Sequence, residues 1–106
     1  MGKYLIQASY TQAGIQGVIK EGAKARAAAV TKAVKSVGGK VEALYWSFGA
    51  HDFVLVMDAP DHAAVVAVNA AVGASGGATT VTTVLLTAED VDKARENLAA
   101  YRAPGA

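Results

Sequence analysis

Four short stretches of this chain are rich in strand-forming residues, and their spacing leaves few folds open. Lys3 to Tyr10 alternates, with Tyr4, Ile6, Ala8 and Tyr10 on one face and Leu5, Gln7 and Ser9 on the other. Val41 to Phe48 and Asp52 to Asp58 read as two strands flanking Gly49-Ala50-His51, a hairpin-length loop containing glycine. Thr79 to Leu86 is a β-branched strand with no strongly polar face. Between them, Lys24 to Val37 reads as a helix stopped by Gly38-Gly39, where glycine can take the left-handed cap conformation. Pro60 opens a second helix that runs to about Val72 and is broken by Gly73 to Gly77. Thr87 reads as the N-cap of a last helix, with Glu89 and Asp90 in its first turn, before a frayed tail from Arg102 to Ala106. Thr11 to Gly22 carries three glycines and reads as a connection with about one helical turn.

The order is β-α-β-β-α-β plus a C-terminal helix, an α+β, ferredoxin-like split βαβ arrangement in a single domain over residues 1–106. One face of such a sheet takes the helices and the other needs a cover. Two sheets packed face to face would supply it, so a homodimer is expected, with higher oligomers open through the helix after Pro60. That helix has only His62 and Asn69 as a polar stripe beyond its first turn.

Composition agrees. The apolar fraction is 53%, and 24 alanines supply much of it, so the helices must lie close to the sheet to cover the 14 valines. Area scaling gives a folded surface of roughly 5,500 Å² for a compact chain of this mass. A net charge of +1 provides no field to steer the protein to nucleic acid or anionic lipid. No cysteine is present, which excludes disulfides, thiolate metal sites and thiol nucleophiles and fits a reducing compartment. With no signal-peptide pattern before the first strand, a cytoplasmic location is expected. The two histidines stand eleven residues apart without a ligand-spaced partner, and no phosphate or dinucleotide fingerprint occurs, so neither metal nor cofactor is expected.

The segment Phe48-Gly49-Ala50-His51-Asp52-Phe53-Val54-Leu55-Val56, followed by Asp58-Ala59-Pro60-Asp61, resembles the GYD domain family. The resemblance extends upstream to Thr11–Arg26 and downstream to Thr82–Thr87. Gly49 and Asp52 look like the signature glycine and aspartate, while His51 stands in the place of the tyrosine. The resemblance implies a dimeric α/β barrel and carries no established reaction.

Arg26 is the most informative candidate residue. It shares a helical stripe with Val30, Ala33 and Val37, so its guanidinium faces the sheet and needs acceptors. Three readings stay open: an ion pair to Asp52, Asp58 or a carbonyl; a clamp for a small organic anion; and an arginine whose head reaches water. Tyr10, Tyr45, Trp46, His51 and Asp52 complete the candidate ligand-binding set. Tyr45 and Trp46 must face opposite sides of the sheet, and so must His51 and Asp52. The order of preference is a small-molecule binding or regulatory module working as a homo-oligomer, then a self-assembling structural protein, then a cofactor-independent oxygenase or isomerase. The enzyme comes last because no nucleophile–base pair or convergent carboxylates are present.

Overall fold

A computed structural model describes residues 2–47 and 49–106. Phe48, which the sequence places at the end of the second strand and at the head of the family motif, lies outside the described residues. The elements are β1 (Gly2–Tyr10), α1 (Gln12–Glu21), α2 (Ala23–Ser36), β2 (Lys40–Trp46), β3 (Phe53–Ala59), α3 (His62–Ser75), β4 (Ala78–Leu85) and α4 (Ala88–Arg95). The strands form one antiparallel sheet in the order β2-β3-β1-β4. This is the ferredoxin-like α+β arrangement that the element order predicts.

Register decides which residues meet the helices, because cross-strand partners share a face. Tyr4, Ile6 and Ala8 of β1 pair with Met57, Leu55 and Phe53 of β3, and all six are buried. Val34 of α2 and Ala64 and Val65 of α3 close over them to make the core. Between Val41 and Ala43 the β2–β3 register slips. That irregularity lets both Val41 and Leu44 face the helices, where an unbroken strand would alternate them to opposite sides. It also carries Trp46 to the helical side and Tyr45 to the outer side.

Three boundaries differ from the sequence reading, each for a local reason. The segment expected as a glycine-rich connection is a ten-residue helix, α1. Thr11 caps it by accepting the Gly14 amide at 3.1 Å, and the Thr11 amide and hydroxyl bind the Gly77 and Gly76 carbonyls at 3.0 and 2.7 Å. Gly14 is required there, since a Cβ at this position would stand 1.8 Å from the Gly77 carbonyl oxygen. Helix α3 is capped by Asp61, whose carboxylate accepts the Ala64 amide at 2.9 Å, rather than opened by Pro60. It also continues past Gly73 to Ser75 and stops at Gly76, which takes the left-handed conformation (φ 74°). The predicted Thr87 cap is present and forms a capping box with Asp90.

The outer face of the sheet has no covering layer among the described residues. One row crosses all four strands as Tyr45, Val54, Gln7 and Val81, and the next as Ala43, Val56, Leu5 and Thr83. At its β1 end Lys3 binds both Glu42 and Asp58, and those two hydrogen bonds hold the ammonium above the usual lysine pKa. The chain after β4 leaves the body. α4 has no buried residue, and Leu86, Val91, Leu98 and Tyr101 are exposed. The radius of gyration is accordingly 17.0 Å, against about 13 Å for a compact chain of this length. The accessible surface, 7359 Å², likewise exceeds the roughly 5,500 Å² of area scaling. No helix among the described residues is long and apolar enough to cross a membrane.

Candidate ligand-binding cleft

The helical layer seals one end of the sheet and leaves the other open. At the open end a cleft of about 360 Å³ lies between the sheet and helices α1, α2 and α3. This falls near the lower end of the range for small-molecule sites. Its floor is Tyr10, Trp46, Phe53 and Ala78; α2 contributes Arg26, Val30 and Ala33, and α3 contributes Val68, Ala71 and Val72. The third wall is α1, through Ala13, Gly14, Gly17 and Glu21. Small residues along α1 make the space: a Cβ built on Gly17 would meet no atom within 4 Å.

The floor is aromatic and ordered by one hydrogen bond. Phe53 stacks on Tyr10 at 6.1 Å and 15°, and Trp46 leans on Phe53 at 6.1 Å and 32°. The Trp46 indole N–H donates to the Tyr10 hydroxyl oxygen at 3.1 Å, which fixes both rings. Polar groups enter from the rim. Arg26 donates through Nη1 to Glu21 Oε1 at 2.9 Å, with the side chains 40% and 44% exposed. A narrower extension of about 80 Å³ runs inward past Val30 and Phe53 to Asn69 and Thr80. There Asn69 donates to the Thr82 hydroxyl at 2.7 Å, while its buried carbonyl oxygen has no partner among the described residues.

The candidate residues therefore divide. Tyr10, Trp46 and Arg26 come together at the cleft, with Val30 and Ala33 of the predicted stripe beside them. Arg26 does not pair with Asp52 or Asp58. The first turn of α2 carries it out to the rim, where Glu21, at the end of a helix not expected from the sequence, meets it. Tyr45 lies on the outer face, 70% exposed, on the far side of the sheet from the cleft. His51 and Asp52 line neither space. Asp52 accepts the Tyr10 amide at 2.8 Å and its own amide binds the Ala8 carbonyl at 2.8 Å, while His51 Nδ1 lies 3.3 Å from the Ser9 hydroxyl. These contacts join the β2–β3 connection to the end of β1. Phe53, Glu21 and the α1 wall are the parts that sequence reasoning missed. Phe53 was legible as the helix-facing neighbour of Tyr10, had the β1–β3 register been known. His62 has a partner at the sealed end, where the buried Tyr4 hydroxyl lies 2.7 Å from its Nδ1 and the rings meet edge to face. No group of three His, Asp or Glu residues among those described is placed to hold a metal ion.

Fold and cleft together define a ferredoxin-like α+β domain with a ligand-sized space between its helices and one end of its sheet. The GYD domain family matches residues 4–94, and the chain belongs to it. No curated protein and no solved structure matches it significantly.

Proposed function

We propose that this chain is a small-molecule binding or regulatory module that works as a homo-oligomer. The observation that carries the reading is the cleft of about 360 Å³ with a stacked aromatic floor, apolar walls and a single charged pair at its rim. Apolar walls with few polar groups are what a small ligand needs: burial supplies affinity and the polar groups set orientation. The lone tryptophan lies in the floor, so its indole N–H resonance reports directly on occupancy. Screening the labelled protein with small aromatic molecules by heteronuclear NMR should shift the Trp46 indole signal and the Gly14 and Gly17 amides. Gly17→Phe, which places a ring in the cleft, should abolish those shifts. Shifts confined to other surfaces, or unchanged in Gly17→Phe, would count against the cleft.

The oligomeric part rests on separate observations, the uncovered apolar rows of the outer sheet face and the exposed apolar residues of the C-terminal arm. A second copy applied to the outer face would cover Leu5, Val54 and Val56, with Tyr45 and Val81 flanking. Sedimentation at micromolar concentration should return the mass of at least two chains. Val56→Lys should lower it while leaving the circular dichroism native. A monomeric parent protein would remove this part and leave the cleft reading standing.

A further inference from the structure

Building on the cleft reading, we infer that the ligand is a planar, largely apolar molecule carrying an sp² oxygen, a carbonyl or carboxylate, that accepts hydrogen bonds from Tyr10 and Arg26. The planar body follows from the floor. Phe53 and Trp46 lie beneath the cleft, and every aromatic face can stack on another flat π-system. The acceptor follows from hydrogen-bond accounting. The Tyr10 oxygen already accepts the Trp46 N–H, so its own proton is the one it has left to place. Among the described residues it has no acceptor. The Arg26 guanidinium has five N–H groups, one of which goes to Glu21. Both side chains line the same cleft. At the mouth of the cleft the polar side chains thus present donors against the Glu21 carboxylate, while the Asn69 carbonyl oxygen, unpartnered among the described residues, lies apart from them in the inward extension. Because Glu21 repels a second negative charge, a neutral carbonyl fits the rim better than a carboxylate.

Four flat probes test this on the intact protein by titration of the Trp46 indole resonance. Chromone carries a neutral carbonyl, naphthoate a carboxylate, naphthalene no polar group, and aminomethylnaphthalene only donors. Chromone and naphthoate should each bind more tightly than naphthalene. Tyr10→Phe and Arg26→Met should each weaken both acceptor probes relative to naphthalene by about fivefold, the worth of one hydrogen bond. Glu21→Gln should strengthen naphthoate alone, which separates the two acceptor sources. Native circular dichroism and unchanged Gly14 and Gly17 amide resonances in each unliganded variant show that the fold is intact, so lost acceptor affinity is not misfolding. Equal affinity for all four probes, tighter binding of aminomethylnaphthalene, or acceptor affinities unaffected by both Tyr10→Phe and Arg26→Met would overturn the inference while leaving a binding cleft. If no probe moves the cleft resonances, this inference and the reading it rests on both fall.

Discussion

Tyr4 and Tyr10 sit on the same face of the same strand, six residues apart, yet one ends in a sealed core and the other in an open cleft. Tyr4 is 3% exposed, lies under α3 and has His62 at its hydroxyl. Tyr10 is only partly buried, and its hydroxyl meets the indole of Trp46 at the cleft floor. The sheet beneath them is the same, so the difference comes from the helices above. At the Tyr4 end Val34 and Val65 close on Met57 and Leu55 in the buried core. At the Tyr10 end the roof is α1, which buries none of its residues and faces inward with alanine and glycine. A layer that could have been packed throughout is packed at one end and left hollow at the other by residue size.

The largest effect should come from the contact that holds α1 over the hollow end. Gly14→Ala puts a methyl against the Gly77 carbonyl, and relieving that overlap must break the Thr11 bonds to Gly76 and Gly77. A loss of about 3 kcal/mol is expected on chemical denaturation, at the upper end of overpacking costs. The Gly17 amide should also lose protection from hydrogen exchange. A variant as stable as the parent would mean that α1 is not anchored there.

A matched pair on one helix compares the two ends directly. Val34 is fully buried at the sealed end, and Val30, one turn earlier, lines the cleft. Val34→Ala should cost about 2 kcal/mol, from lost burial plus an unrelaxed cavity, and Val30→Ala less than about 1 kcal/mol, because its neighbourhood already contains space. The gain in helix propensity is common to both and cancels. Equal losses would mean that the cleft collapses in solution.

The tyrosines themselves give a smaller difference. Tyr4→Phe removes a buried hydroxyl's partnership with His62 and should cost about 1 kcal/mol. Tyr10→Phe should be close to neutral for stability, since the freed Trp46 N–H can turn to water. Melting temperatures of the two variants, compared at one pH, check the ordering. The reverse ordering would place the structural tyrosine at the wrong end.

How much of this was legible in the sequence depends on whether the deciding contact was local. The strands, α2 and α4 follow from alternation, a glycine stop and a Thr87 cap, all of which act within a few residues. The Arg26, Val30 and Ala33 stripe also follows from helical spacing alone. α1 was missed because its glycines argue locally against a helix, and the reason for Gly14 is a carbonyl 63 residues away in sequence. The partner of Arg26 was missed with it. Likewise, Tyr45 and Trp46 could be assigned to opposite faces but not to particular ones. The register slip at Glu42 is a property of the β2–β3 pairing, and nothing within β2 announces it.

The smallest effect, and the one with opposite sign, tests whether the hollow is tolerated rather than needed for folding. Gly17 lies in the middle of α1 and faces the cleft, and a methyl group added to it would meet no atom within 4 Å. Gly17→Leu therefore adds volume where volume is free, the reverse of Gly14→Ala three residues earlier. Replacing a mid-helix glycine by leucine should also favour the helix by about 0.5 kcal/mol or more through backbone entropy. Burial of the new side chain against Val30 and Val72 adds to that gain, so the net change should be a modest stabilisation. The same substitution should occlude the aromatic floor and abolish binding of flat probes at Trp46. Higher stability with lost binding would identify the hollow as a feature retained at the expense of stability, as expected for a site. Lower stability would show instead that the space closes around α1 in solution, and the contrast between the two ends of the sheet would disappear.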